Sequence, residues 1–459
     1  MRIEKNESGK QGWNQARRYT GTVMTRNFIL LALTAAFATA ADQPTLPPEL
    51  TISQALDIAL QNSTNIRTAL AQLDQALAQT QQSKSPLLPQ LNVSARQNYQ
   101  TVNLIGIGID IPSARGLIGP FGSMDARVFL SQQLLNIADW RAWKSTRSRE
   151  DASRLLVDNA RELVALRVIA TYLDALKAKE TRNTLVQQRK LAEDLYKLTR
   201  DRVSQGVAAE LDANRAMQQV NTLEQQRQEA EQTYVAAKLS LANILQARAT
   251  SEYEVADDAA YGAGTAPERD AAIKAALTSR ADYRSAAASV EAAELHLRSI
   301  KATRLPTIQM TFDDGQMGNT PVHNNNTYRV QGSIDFPIFT GGRIRGEIEE
   351  ADGALREART ALDENRSQIE TDVLAAISGV EWALKELETS DGNVKLSRQE
   401  VEFARSRFAQ GIADNTEVVN AQDRLERADD AHIRAQYRLG LARANLARAT
   451  GVAEKTYRK

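Results

Sequence analysis

The sequence predicts a mainly helical protein that contains one helix-strand-strand-helix unit twice and carries four strands suited to a membrane. Three observations support this fold class. The two halves of the chain match each other at a nearly fixed spacing. The longest segments lack proline and place apolar residues on a helical period. Four shorter segments alternate strictly between apolar and polar side chains, as membrane strands do.

The composition excludes several classes of protein. The 459 residues include 57 basic and 57 acidic side chains, only 5% are aromatic, and none is cysteine. The absence of cysteine excludes a disulfide scaffold, a zinc ribbon, a cysteine nucleophile and a lipid anchor on an N-terminal cysteine. Basic and acidic residues alternate along the chain without a concentrated basic face, which argues against a nucleic-acid-binding protein.

Residues 1–40 read as a secretory signal peptide. The apolar run Phe28 to Phe37 follows Arg26 and precedes Ala38-Thr-Ala40, so we expect cleavage after Ala40. The run is shorter than the roughly 20 residues that a membrane-spanning helix needs. The leader carries six basic and two acidic residues, which gives the mature chain a net charge of −4. We therefore expect an exported, mildly acidic protein.

The internal repeat defines the organisation of the mature chain. Residues before the strands match at a spacing of 217, as Leu88-Pro89 and Leu305-Pro306 do, and residues after them match at 205. The first copy is 12 residues longer, and the excess lies between its two strands, where a loop tolerates insertion. The predicted parts are a first repeat at 41–250, a connecting segment at 251–267, a second repeat at 268–453 and a tail at 454–459.

Very long helices follow the strands in each copy. The segments 137–205 and 342–410 are both 69 residues long, and each ends at the glutamine of a Gln-Gly turn. An unbroken helix of this length extends about 100 Å, so it must pair along its side with another helix. The helix that returns after 411 has alanine at every seventh residue from Ala421 to Ala449, which is typical of a close-packed coiled-coil seam.

The four alternating segments lie at about 90–104, 123–135, 307–315 and 327–338. Each is long enough for a tilted strand to cross a bilayer, which takes about 9 to 11 residues. A half-buried soluble sheet shows the same alternation, but nothing in the sequence is left to cover its apolar face. We therefore predict an apolar face toward lipid and a polar face toward water. The predicted lipid-facing residues are Val93, Tyr99, Val128, Leu130, Met310, Phe312, Tyr328, Val330, Ile334 and Phe336.

Four strands are too few for a closed membrane barrel. The smallest barrels use about 8 strands, and open sheet edges are not tolerated in lipid. Several copies of the chain must therefore contribute strands to one barrel.

The segment Phe336–Arg343, which reads Phe-Pro-Ile-Phe-Thr-Gly-Gly-Arg after an alternating strand, completes a resemblance to the TolC-like outer-membrane efflux family. The resemblance extends from about Leu50 to Ala453, although Gln133–Ile137 departs from the motif in the first copy. It implies a homotrimer with a 12-stranded outer-membrane barrel, continued through the periplasm by a coiled-coil α-barrel. It further implies a passive exit duct of a tripartite efflux or type I secretion system. Such a duct passes small molecules or proteins from a periplasmic adaptor and an inner-membrane transporter to the exterior.

The resemblance also suggests roles for the Gln-Gly turns and for the helix after the second turn. The turns correspond to the periplasmic tips of the family, which would dock the adaptor, although glycine at a helix end also serves as an ordinary cap. The helix after the second turn corresponds to the ring around the closed aperture, although a solvated charge there needs no such role. The implied tip residues are Arg202, Gln205, Gly206, Arg407, Gln410 and Gly411. The implied aperture residues are Glu417 and Asn420.

No motif of an enzyme or of a cofactor site occurs. The three histidines, His296, His323 and His432, have no partner at a metal-ligand spacing, and nucleotide-binding and hydrolase patterns are absent. We therefore predict a protein that is not an enzyme and binds no cofactor. The competing hypothesis is a soluble periplasmic coiled-coil adaptor or structural protein, which would carry one helical hairpin flanked by β-rich domains rather than two hairpins preceded by strands.

Overall fold

The computed structural model describes residues 44–108, 116–256, 266–320 and 322–458. The predicted signal peptide and its cleavage site lie outside these ranges. The elements described here belong to the compact unit that begins at Thr45.

Each half of the chain contains two helices, two long strands and two further helices. In chain order the elements are β1 (Glu49–Leu50), α1 (Ile52–Asn62), α2 (Thr64–Lys84), β2 (Gln90–Asn103), β3 (Leu117–Leu135), α3 (Ile137–Ser204), α4 (Glu210–Ile244), β4 (Glu254–Val255), α5 (Arg269–Ser279), α6 (Ala281–Ala302), β5 (Thr307–Gly318), β6 (Asn324–Asp335), α7 (Arg343–Ala409), α8 (Asn415–Ala449) and α9 (Ala453–Tyr457).

Several bounds differ from the sequence-based prediction. Strand β3 begins at Leu117 rather than 123, because residues in the predicted loop pair with the end of β2. Strand β6 ends at Asp335 rather than 338. Pro337, two residues later, has no N–H to donate to a neighbouring strand. The predicted tail begins inside the short helix α9. The single helix predicted before each hairpin is divided in two, at Ser63 in the first repeat and at Arg280 in the second.

The four long strands form one antiparallel sheet in the order β2-β3-β5-β6. The two central strands, β3 and β5, come from different repeats and pair directly. The outer strands β2 and β6 each have a neighbour on one side only within the described chain. One chain therefore provides a sheet with two open edges.

The long helices pack side by side. Helix α3 contacts both α4 and α8, and α8 contacts α7, so these four helices form a row in the order α4, α3, α8, α7. The small residues of the α8 seam are buried where α8 meets its neighbours. The buried seam residues include Val418, Ala421, Leu425, Ala428, Ala435 and Leu439. Small seam residues allow close helix approach, as the heptad pattern indicates.

The largest apolar cluster surrounds the middle of α3. Tyr172 is fully buried there, and its hydroxyl lies 3.0 Å from the carbonyl oxygen of Leu50 and 2.8 Å from that of Ala256. The single hydroxyl proton, shared between these two carbonyls, attaches α3 to the two-residue parallel pair β1 and β4, which joins the start of the first repeat to the segment that follows it.

The last turn of each repeat offers a matched stability test. Gln246 and Gly451 occupy corresponding positions, and both have positive φ, 55° and 74°. We expect Gly451→Ala to destabilise the protein by about 2 kcal/mol, because a side chain is strained at this φ. The added Cβ would also lie 3.1 Å from the backbone of Arg280. We expect Gln246→Gly to stabilise the protein by about 0.5 kcal/mol.

The midpoint of urea unfolding, followed by far-ultraviolet circular dichroism, measures both changes. If the two variants shifted the midpoint in the same direction, the argument that positive φ strains a side chain in these turns would be contradicted.

Candidate functional site

The strand register collects the apolar side chains on one face of the sheet. Leu130 pairs with Phe312 and Phe312 pairs with Val330, so these three residues form a row across three strands. Leu91 extends the row onto β2, because it pairs with Leu130. Directly paired residues of antiparallel strands point to the same face. The four separate alternations of the sequence therefore combine into one continuous apolar face.

Nine of the ten predicted lipid-facing residues lie on this face. They are Val93, Tyr99, Val128, Leu130, Met310, Phe312, Tyr328, Val330 and Ile334. The tenth, Phe336, follows the end of β6 and is not part of the sheet. Contact of the nine with lipid stays a prediction.

The opposite face carries a charged ladder at the junction of the two repeats. Arg127 of β3 lies 2.6 Å from Asp125 on its own strand and 2.6 Å from Asp313 of β5. Arg329 of β6 reaches the same Asp313 at 4.0 Å. The side chains of Arg127 and Asp313 are each only 10% exposed. The ladder links β3, β5 and β6 and fixes the register between repeats.

Both Gln-Gly turns have the same backbone geometry. Gly206 and Gly411 each have φ of +76°. In each turn the glycine N–H and the N–H after it donate to carbonyls of the last helical turn, at distances of 2.9 to 3.0 Å. This is a Schellman-type cap, which explains the glycine without any other role.

The two arginines that precede the turns have different contacts. Arg202 donates to the carbonyl of Phe408 in the other repeat, and its guanidinium lies 4.7 Å from the centre of the Phe408 ring. Arg407 instead pairs at 3.2 Å with Glu417, and its side chain is 55% exposed. The two tips thus lie side by side, and Arg202 holds them together.

The glutamines of the tips remain accessible. Gln205 is exposed, and the exposed Gln410 donates to Ser406 Oγ over 3.3 Å. Both are free to meet a partner, and docking at these residues stays a prediction.

The two predicted aperture residues lie close together on α8. Glu417 is the third residue of α8, and its backbone N–H is capped by Asp414. Its carboxylate is partly neutralised by Arg407 of the same chain. Asn420, one turn later, is exposed. If Glu417 residues of several copies formed a ring around the aperture, that ring would therefore carry less negative charge than the sequence suggests.

The sequence reasoning missed Asn415 as a link between the tips. Its side-chain amide donates to the carbonyl of Asp212 in the first repeat at 2.9 Å, and the residue is 1% exposed. Asn415 begins a series of polar residues that recur every seven positions on α8. The series is Asn415, Gln422, Asp429 and Gln436. That polar stripe could have indicated a second contact face on α8.

The tip contacts give a direct prediction. We expect Arg202→Met to weaken the tip by about 2 kcal/mol, because it removes a charge-assisted hydrogen bond and a cation–π contact. Its repeat counterpart Arg407→Met removes an exposed ion pair and should cost about 0 to 1 kcal/mol.

Amide hydrogen exchange at Gly411 and Ile412 measures local opening of the tip. Faster exchange in Arg202→Met than in Arg407→Met is the expected result, and equal rates in the two variants would contradict it.

The described residues contain no group of three or more histidine, aspartate or glutamate side chains placed to hold a metal ion. Among the helices described above, none is both long enough and apolar enough to cross a membrane.

Comparison with known proteins shows which family the chain resembles. The family model for outer membrane efflux proteins matches residues 55–246 and 272–452. A pyoverdine export outer membrane protein, OpmQ of Pseudomonas putida, is 26% identical over 407 residues, which are 85% of this chain and 83% of that protein. The outer membrane protein TolC of Vibrio cholerae is 21% identical over 86% of this chain and 89% of its own length.

Solved structures share the fold. The crystal structure of the outer membrane protein VceC from Vibrio cholerae aligns with a TM-score of 0.75 and 18% identity, covering 87% of this chain and 96% of that chain.

Proposed function

The chain belongs to the outer membrane efflux protein family, and it is thus an exit duct for efflux at the outer membrane; we propose that three copies form this duct and that it works passively. In this proposal the four strands of each chain combine into one 12-stranded barrel. The helices continue the barrel into the periplasm, where an adaptor and an inner-membrane transporter supply the cargo and the energy.

The open four-stranded sheet carries the proposal. It has an apolar face and two unpaired edges, and neither is stable alone in water or in lipid. If β6 of one chain pairs with β2 of the next, all edges are satisfied, the apolar face meets lipid and the charged ladder lines a wet lumen.

The row of helices supports the same assembly. Helices α4 and α7 are at its two ends, and α7 exposes a stripe of large apolar side chains. Trp382, Leu396 and Phe403 are 70%, 66% and 69% exposed and lie on one side of the helix at multiples of seven residues. Contact between α7 of one chain and α4 of the next would bury this stripe.

The tips and the start of α8 complete the proposed duct. Gln205 and Gln410 offer exposed side-chain amides to an adaptor, while Arg202 keeps the two tips together. Glu417 and Asn420 lie next to the tips on α8 and would surround the periplasmic entrance. The proposed cargo is a small molecule or a protein.

Membrane fractionation followed by planar-bilayer recording tests the proposal. We expect the protein in the outer membrane as a trimer that dissociates on heating and conducts ions across a bilayer. Phe403→Glu should weaken the trimer, whereas Glu402→Gln on the same helix turn should not. A soluble monomer would support the competing adaptor hypothesis instead.

A further inference from the structure

A collar of exposed apolar and basic side chains lies where the four long strands meet the helices. It consists of residues 82–88, 136–147, 298–305 and 336–349, which lie at or beside the ends of α2, α3, α6 and α7 next to the sheet. Each of these helices leads into or out of one strand, and neighbouring helices contact one another in the order α2, α3, α6, α7. The collar therefore follows one end of the sheet across all four strands.

The apolar side chains of the collar are open to the surroundings of the single chain. Ile338 and Phe339, which connect β6 to α7, are each 89% exposed. The turn after them is formed by Gly341 and Gly342, which have φ of 59° and 88°. Exposed aromatic and large apolar residues at a strand end are typical of the level at which a barrel leaves the hydrocarbon.

Basic charge is concentrated at the same level. The collar contains nine basic and three acidic side chains, although the chain as a whole has no net charge. The loops at the other end of the sheet, 104–116 and 319–323, contain one arginine and one aspartate. The two ends of the sheet thus differ in charge, and only the end at the helices is strongly basic.

Three of the basic side chains are exposed and have no ion-pair partner among the described residues. They are Lys84, Lys301 and Arg304. Lys84 and Lys301 match at the repeat spacing of 217, and each precedes an exposed leucine, Leu88 or Leu305, by four residues. Both repeats therefore place an unpaired ammonium group close to exposed apolar surface.

Other basic residues of the collar have partners in the same chain. Arg345 pairs with Glu349 at 2.9 Å on α7. The Lys144 ammonium lies 3.8 Å from the centre of the Trp140 ring on α3. The uncompensated charge is thus located at the strand-proximal ends of α2 and α6.

We propose that the collar binds anionic phospholipids of the leaflet that faces the periplasm, with headgroup phosphates at Lys84 in the first repeat and at Lys301 and Arg304 in the second. The inference rests on the proposed outer-membrane barrel, which brings the junction of strands and helices to that leaflet. Long basic side chains keep their apolar stems on apolar surface while the charged group reaches a phosphate. The acyl chains would then lie beside Leu88 and Leu305.

Brominated lipids, which quench tryptophan fluorescence on contact, test the proposal on the purified protein in phosphatidylcholine vesicles. Among the described tryptophans, Trp140 and Trp143 lie in the collar, and Trp382 lies farther along α7. We expect brominated phosphatidylglycerol to bind at least about fivefold more tightly than brominated phosphatidylcholine, since one basic residue at an anionic surface contributes about that factor. Lys84→Gln combined with Lys301→Gln should reduce the preference to less than about twofold.

Lys190→Gln combined with Lys197→Gln is the matched control. Both lysines are exposed and lie more than 50 residues along α3 from the sheet, so this variant should keep the wild-type preference. High salt should weaken the preference, because it screens exposed charges. Inorganic phosphate added at constant ionic strength should not displace the brominated lipid.

Three results would overturn the proposal. They are equal quenching by the two brominated lipids, an unchanged preference in the collar variant, and displacement of the lipid by inorganic phosphate. A trimer that conducts ions but has no lipid preference would leave the proposed function intact and reject this site alone. A protein that does not insert into vesicles would contradict both proposals.

Discussion

Val330→Arg is expected to destabilise the inserted protein by about 2 to 4 kcal/mol, the cost of an arginine on the lipid face of a barrel near the bilayer midplane. Val330 lies in the middle of β6, in the apolar row with Phe312 and Leu130, and its side chain is 58% exposed in the single chain. Lipid is the proposed environment of this face. The guanidinium would have to leave water or pull water into the hydrocarbon.

Two control variants separate lipid contact from general damage. Gln331→Arg places the same charge at the same depth on the opposite face, where a wet lumen accepts it, so the effect should be small. Ile334→Arg places the charge on the apolar face, but near the end of the strand, because Ile334 is the second-last residue of β6. The cost falls to about 0 to 1 kcal/mol near a membrane interface.

Urea unfolding in lipid vesicles, followed by tryptophan fluorescence, measures the three free energies. The expected order of destabilisation is Val330→Arg, then Ile334→Arg, then Gln331→Arg. If Gln331→Arg were the most damaging, the lumen and lipid faces would be assigned the wrong way round.

The faces of the strands could be predicted from the sequence because the side-chain period of a strand is two. The residue types on each strand fix one face without knowledge of its partners. The ends of strands were less predictable. Gly119 and Pro120 interrupt the alternation near Leu117, so pairing of β3 with the end of β2 became visible only in the register.

The fold class was predictable because the repeat and the helical period recur over long segments, and the family match and structural neighbours confirm it. The contacts of matched residues were not predictable. Arg202 and Arg407 occupy the same repeat position, yet α3 has neighbours on both sides in the row of helices and α7 has α8 on one side. Arg202 therefore meets Phe408 of the other repeat, whereas Arg407 stays at the surface.

A similar asymmetry occurs where α5 meets α6. Arg284 matches Arg67 at the repeat spacing of 217, and Arg284 is exposed. The buried arginine is Arg280, whose counterpart in the first repeat is Ser63. Its guanidinium donates to Asp282 at 2.7 Å and to Asp372 of α7 at 3.0 Å, and its side chain is 7% exposed. An arginine that the first repeat replaces with serine thus joins α6 to α7.

Arg280→Met is expected to destabilise the protein by about 3 kcal/mol, because it removes the buried guanidinium that pairs with Asp282 and Asp372 and leaves Asp282 with Arg448 as its remaining cation. Arg284→Met removes the same side chain from an exposed position of α6 and should change the unfolding free energy by less than about 0.5 kcal/mol. Thermal and urea unfolding of both variants measure the difference. Equal effects would show that the buried network contributes little.

The pH dependence of unfolding gives an independent check on this network. Burial would raise the pKa of Asp282, but hydrogen bonding to Arg280 and attraction to Arg280 and Arg448 keep it below its ordinary value. A lowered folded-state pKa means that the contribution of Asp282 is present above the unfolded value, about 3.9, and is lost as the pH falls through the folded value. Without Arg280 the largest effect that opposes burial is lost, so the pKa of Asp282 rises. As the pH falls, Arg280→Met should therefore lose less stability than the wild type does. The difference in unfolding free energy between the two proteins should narrow below a pH of about 4. A gap that stayed constant from neutral to acidic pH would mean that Arg280 acts through packing alone.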